Sequence, residues 1–354
     1  MSKQSMTTVG IVLFALMFGT ALIAGEALAQ EPRRLAVITS AVFKKSFDWY
    51  IVPKMKELYN VEVVSSPFLS AEALAKALAQ RSNPQTSVFT LDEGPWLQGK
   101  EAGLWEVMDP EKIANLREIP AQLKDPGHKG SAMDFSLLGL IYDEVAYKAN
   151  NIPAPASLHD MWNSALQNRI SIQQFSSSYA FALLAETTRV ERGDVNNSFD
   201  AGFAKLRQLR PNVRTFSGPA AQLIQLFQQK EIWLAWGSTF TAMQAAAAGA
   251  PVRWVAPKEG AMIHAHYVAI AKGAPALEDA QRLVNLMLSP EYQKIMAQTD
   301  FLEAVNSHTK LDPEFADKSP ISDKVMESAV SIPWNLYNRY RIPLNERWQR
   351  EIEQ

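Results

Sequence analysis

Along the chain, short runs of β-branched and aromatic residues alternate with segments whose apolar positions recur every three to four residues, the periodicities of strand and helix. "RLAVITS" (34–40), "VEVVSS" (61–66) and "SVFTL" (87–91) are predicted strands. Ser70 opens the helical pattern "SAEALAKALAQR", which stops at Asn83-Pro84, where proline pushes the preceding residue out of the helical region. The third strand runs into a polar loop, Asp92-Glu93-Gly94-Pro95. This β-α-β-α-β order predicts an α/β fold, with parallel strands and helices on both faces.

A second series starts with "SLLGLIYD" (136–143) and continues through a capping-box start at Ser157 and Asp160 for "SLHDMWNSALQ". "RISIQQF" (169–175) is a strand, "SSSYAFALLAETTR" a loop feeding a helix, and Pro219 opens the helix "PAAQLIQLFQQ". "EIWLAWG" is a strand, "STFTAMQAAAAG" a helix ended by Gly249, and "PVRWVAP" and "PKEGAMIHAHYVAI" are strands again. Mostly helices follow, with Ser289-Pro290 restarting a helix after "LEDAQRLVNLMLS". The series predicts two lobes. Residues 30–134 make the first part of lobe 1 and 135–263 make lobe 2. Residues 264–354 return to lobe 1 and add C-terminal helices. A ligand cleft is expected between lobes joined by a hinge, at strand ends and helix starts.

The N-terminus is set apart from this fold. Lys3, the apolar run "TTVGIVLFALMFGTALIAG" and Ala27-Leu28-Ala29 form the basic start, apolar centre and A-x-A site of a secretory signal peptide. Residues 1–29 are therefore expected to be cleaved on export, leaving a periplasmic protein without a lipid-anchored cysteine. The 354 residues include no cysteine, which excludes disulfides, thiol nucleophiles and Cys-ligated metals. The formal charge of −2 is unchanged by losing Lys3 and Glu26. The basic run "NRYRIPLNERWQR" is interleaved with Glu346 and Glu351, a solvated helix face rather than a nucleic-acid site.

Candidate chemistry gathers at element ends. His264 and His266, two of five histidines, are two apart and so share one strand face. They read first as a ligand clamp, and second as a metal pair completed by His308 or Glu93. Ser176, Ser177 and Ser178 precede a helix, where hydroxyls and free N–H groups suit an anion, or simply cap the helix. Thr39 and Ser40 end the first strand, and Ser238 joins a strand to a helix start beside Trp236, a cleft wall or a core residue. Asp92 and Glu93 are the acids placed to meet a ligand ammonium, or else a solvent-facing turn.

Residues 231–298, with "WGS", the small-residue helix, "PKEG" and "AIAKGA" followed by "MLSPE", resemble the spermidine/putrescine-binding branch of periplasmic substrate-binding proteins of ABC importers. "EAGLWEVMD" (101–109) and "SLHDMWNSALQNRISI" (157–172) extend the resemblance over most of the chain. It implies the two-lobed type II binding-protein fold and delivery of a solute to membrane permease subunits. It further implies no catalysis, no cofactor and a monomer. Polyamine binders place an aromatic residue and an Asp where this chain has His264 and His266, and acids where it has Gln173, Gln174 and Ser176–Ser178. A histidine at its ordinary pKa is mostly neutral at pH 7, so a polyamine would lack counter-charges here. The expected solute is a zwitterion or hydroxylated amine, opine-like or aminophosphonate-like, with a polyamine as the alternative. A secreted enzyme or metal protein on the same fold is the further alternative, although H-E-x-x-H, G-x-S-x-G and P-loop motifs are all absent.

Overall fold

Ten strands form one mixed sheet in the computed structural model, which describes residues 31–354 except 219, 317 and 318. The predicted signal peptide, residues 1–29, and the helix-opening Pro219 lie outside the described residues. The strands are β1 (Arg33–Thr39), β2 (Val61–Pro67), β3 (Val88–Asp92), β4 (Ser131–Asp143), β5 (Ile170–Gln173), β6 (Val213–Ser217), β7 (Leu234–Ser238), β8 (Val252–Val255), β9 (Met262–Ile270) and β10 (Val330–Ser331). Their order is β2-β1-β3-β9-β4-β7-β5-β6, with β10 on β9 and β8 on β4. Pairing is parallel within β2-β1-β3 and within β7-β5-β6, as the alternating pattern predicts. It turns antiparallel wherever β4 or β9 meets β3, β7, β8 or the other of the two.

These two central strands join the parallel groups. All thirteen residues of β4 and all nine of β9 are buried, which is why they read as near-continuous apolar runs rather than alternating ones. β9 follows the tight turn at Gly260, whose φ is +115° and where an added Cβ would lie 2.7 Å from the Ser328 carbonyl oxygen. Glycine is required there.

Five helices matter to the site: α1 (Ser70–Ala79), α2 (Glu93–Glu101), α3 (Ser178–Val190), α4 (Thr239–Ala247) and α5 (Trp334–Trp348). The expected loop Asp92–Pro95 is instead the end of β3 and the first turn of α2. Pro95 is compatible with this, because its missing N–H falls among the donors that have no partner in a first turn. The helix expected over 157–167 is two 3₁₀ turns, Leu158–Trp162 and Ser164–Leu166, although its predicted capping box between Ser157 and Asp160 forms.

Two apolar clusters hold the fold. One surrounds β1–β3 and includes Phe43, Phe47, Phe89 and Tyr292. The other surrounds Phe181, Phe203 and Trp236 and draws in Trp348 and Ile352 from the end of α5 and beyond it. At its start α5 is fastened to α2, with the Trp334 indole N–H donating to Glu93 Oε2 at 3.0 Å and the Asn338 amide to the Gly94 carbonyl at 2.9 Å. At its far end Trp348 is fully buried, 5.4 Å from the Phe175 ring. Trp348→Ala is expected to cost about 3–5 kcal/mol through the cavity it leaves. Urea unfolding should show this as a lowered midpoint at unchanged slope.

Candidate ligand site

Strand register builds the site. In the antiparallel pairings, Asp92 of β3 and Asp134 of β4 both stand opposite His266 of β9. Directly opposed residues share a face, so the three side chains form one row across three strands. Two residues back along β9, His264 stands opposite Ser136. A bulge between Ala132 and Asp134 sets this register.

The row is an ionic relay. His266 Nδ1 lies 2.6 Å from Asp134 Oδ1, and its Nε2 lies 3.4 Å from Asp92 Oδ1. Burial works to discharge the ring, but the charge of Asp134, the hydrogen bond to it and the charge of Asp92 outweigh burial and raise the imidazolium to about 9. Burial also pushes the Asp134 carboxyl upward, against the pull of His266. The charge of Asp92 adds to that of Asp134 in holding the proton on the ring. His266 is thus a cation at neutral pH, contrary to the expectation that a histidine here is neutral.

His264 is the opposite case. Burial pushes it down to about 4, so it is neutral. Its Nε2 lies 3.3 Å from Ser178 Oγ, while Nδ1 has no hydrogen-bond partner among the described residues. The two imidazoles stand edge to face, 5.7 Å apart. Tyr179 packs edge-on to His264 at 5.1 Å, and burial raises its phenol pKa against the opposing pull of Ser238 and Ser136. Trp334 closes another side at 5.8 Å. Burial pushes Glu93 up to about 7, opposed by the Trp334 hydrogen bond.

An open cavity of about 400 Å³ adjoins the row, lined by Ser40, Phe68, Ser70, Glu72, Asp92 and His266. Ser70 Oγ accepts the Asp92 N–H at 2.9 Å, fixing the strand end. Of the predicted residues, Asp92, His264, His266 and Ser178 are brought together directly, Glu93 through Trp334, and Ser238 through Tyr179. Ser40 lines the cavity and caps the following 3₁₀ turn, and Thr39 is buried with a hydroxyl unpartnered among the described residues. Ser177 caps α3 by accepting the Tyr179 N–H. Ser176 is exposed and Gln173 is buried at the end of β5.

Trp236 forms no cleft wall. It is fully buried in the second cluster, and its indole N–H donates to the Tyr179 carbonyl at 3.1 Å. His308 does not join the pair either, since it bonds Glu118 at 3.2 Å. His266 directs both ring nitrogens at carboxylates, which leaves a metal no lone pair. Asp134 and Tyr179 escape sequence reasoning. The available signal is a carboxylate near the start of a mostly apolar strand, "SAMDFSLLGLIYD", whose other aspartate ends it.

The family profile for bacterial extracellular solute-binding proteins matches residues 51–321. The spermidine/putrescine-binding periplasmic protein of Escherichia coli is 28% identical over 315 residues, which is 83% of this chain and 89% of that protein. The gamma-aminobutyric acid-binding protein of Pseudomonas aeruginosa is 24% identical over 252 residues, covering 67% of this chain and 66% of its own. The crystal structure of an ABC transporter protein from Clostridium perfringens superposes with a TM-score of 0.78 at 25% identity, over 90% of this chain and 99% of that one.

The two histidines give stability opposite pH dependences. His266, raised from 6.5 to about 9, contributes fully below pH 6.5, and its contribution is lost as pH rises through about 9. His264, lowered to about 4, contributes fully above pH 6.5 and loses its contribution as pH falls through about 4. The melting temperature should therefore decline from pH 6.5 to 9, and His266→Gln should flatten that limb. An alkaline limb of unchanged slope in the variant would show that the relay is not charged as described.

Proposed function

The chain belongs to the bacterial extracellular solute-binding proteins, and from that premise we propose that it is an ABC-importer receptor for a small zwitterion. One end of the solute is an ammonium; the other is anionic or hydroxylated. Proteins of this family capture small solutes for ABC permeases. The finer reading is carried by the charge count at the row. His266 and Asp134 cancel, leaving Asp92 as the one carboxylate facing the cavity from the sheet. Glu72 sits on the rim, exposed, with an oxygen accepting the Leu69 N–H, so solvent screens it.

Neutral donors stand two residues back along β9, around His264. Ser178 and Tyr179, half-buried beside His264, can meet a carboxylate, phosphonate or hydroxyl group. Such a solute would sit between residues 30–134 with the return segment on one side and 135–263 on the other. The receptor works in this reading as a periplasmic monomer, released from residues 1–29, binding without turnover.

Calorimetry on refolded protein tests it, with 4-aminobutyrate and 2-aminoethylphosphonate against putrescine and spermidine. A zwitterion is expected to bind one to one, at least about tenfold tighter than either polyamine, and to remain chemically unchanged by NMR. Asp92→Asn should weaken that binding by at least about tenfold, since it removes the charge partner of the ammonium. Tighter binding of spermidine or putrescine to the unaltered protein would replace this reading with the polyamine one.

A further inference from the structure

One wall of the cavity is an imidazole with a carboxylate on either side of it. His266 lines the cavity together with Asp92, whereas Asp134 lies behind the ring, fully buried. Asp134 uses one oxygen on His266 and has a second, Oδ2, with no hydrogen-bond partner among the described residues. Two carboxylates thus stand on either side of one imidazole, and only one of them is open to a solute. We infer that His266 is the charge selector of this site: its ring occupies the place that a second ligand ammonium would take, and so excludes dications. The inference rests on the zwitterion reading above and names the residue that enforces it.

The physical reason is that an ammonium entering the cavity finds Asp92, but a second ammonium finds the cationic edge of His266. Like charges a few ångströms apart in a partly dry cleft repel strongly. Removing the ring reverses both conditions. The cavity then extends to Asp134, and a buried carboxylate left without its cation is a strong attractor for any cation small enough to reach it. His264, the other titratable ring on this face, is neutral and cannot take over the role. Glu93 is held by Trp334 on α5 and does not line the cavity.

The test compares the unaltered protein, H266A, H266Q and H266A/D134N at pH 7, with putrescine and imidazole as probes. H266A should bind putrescine at least about tenfold tighter than the unaltered protein. Millimolar imidazole should raise the melting temperature of H266A but not of the unaltered protein, because only the variant has an empty place beside Asp134. Adding D134N should abolish both effects. H266Q, neutral and of similar length, should show the putrescine gain in smaller measure, and it decides the matter if H266A does not fold. An unchanged putrescine constant in the folded variants, or an equal gain in H266A/D134N, overturns the selector role. The zwitterion reading fails by a different result, a lack of zwitterion binding by the unaltered protein. The ratio of putrescine constants between variant and unaltered protein is read independently of it.

Discussion

A carboxylate with no exposed surface keeps its charge only with a cation within reach, and Asp134 has His266 at 2.6 Å. The bond exists only if β4 and β9 run antiparallel in one register. Slipping that register by a single residue would turn both histidines to the other face of the sheet. The same register sets His264 against Ser136 and brings His266 within reach of Asp92 on the third strand. The arrangement of the cleft therefore follows from the pairing of two buried strands, and the loops and helix starts are added to it.

Around that bond, two chemically identical side chains take opposite charge states 5.7 Å apart. Both are buried. Two carboxylates flank one ring, while a hydroxyl and aromatic edges surround the other. The pair also reinforces the difference, because the charge on His266 helps to keep His264 neutral. Polarity in this cleft is thus laid out along β9 itself, with a cation held at one position and a neutral donor or acceptor two residues before it.

The parts of the molecule governed by local pattern are readable in its sequence. β1, β2 and β3 fall within a residue or two of the runs 34–40, 61–66 and 87–91. The break at Ser289-Pro290 is a real helix start, with the Ser289 hydroxyl accepting the Tyr292 N–H in the first turn. The shared face of His264 and His266 follows from period 2 alone. What depends on partners distant in sequence is not readable. Asp134 escapes because the apolar run begins cleanly only at Ser136, and nothing local reveals that residue 266 lies opposite residue 134. Glu93 looks like part of a turn because the packing of Trp334 and Asn338 from α5 against the start of α2 is set 241 and 244 residues away. Trp236 fits a cleft wall or a core equally well by composition, and only the bond to the Tyr179 carbonyl and its complete burial separate the two.

The placement of α5 also bears on how quickly this chain can reach its folded state. Its beginning is fastened to α2 and its far end to the second cluster. The links there join residues 144 and 147 positions apart, Arg207 to Glu351 and Asp200 to Arg347. Closing loops of that size costs chain entropy before any contact compensates for it. Contacts so remote in sequence put a domain among the slow folders. Phe203 and Phe175 therefore gain Trp348 only by closing such a loop, and the ionic row does so as well, since Asp92 pairs with His266 174 positions further on.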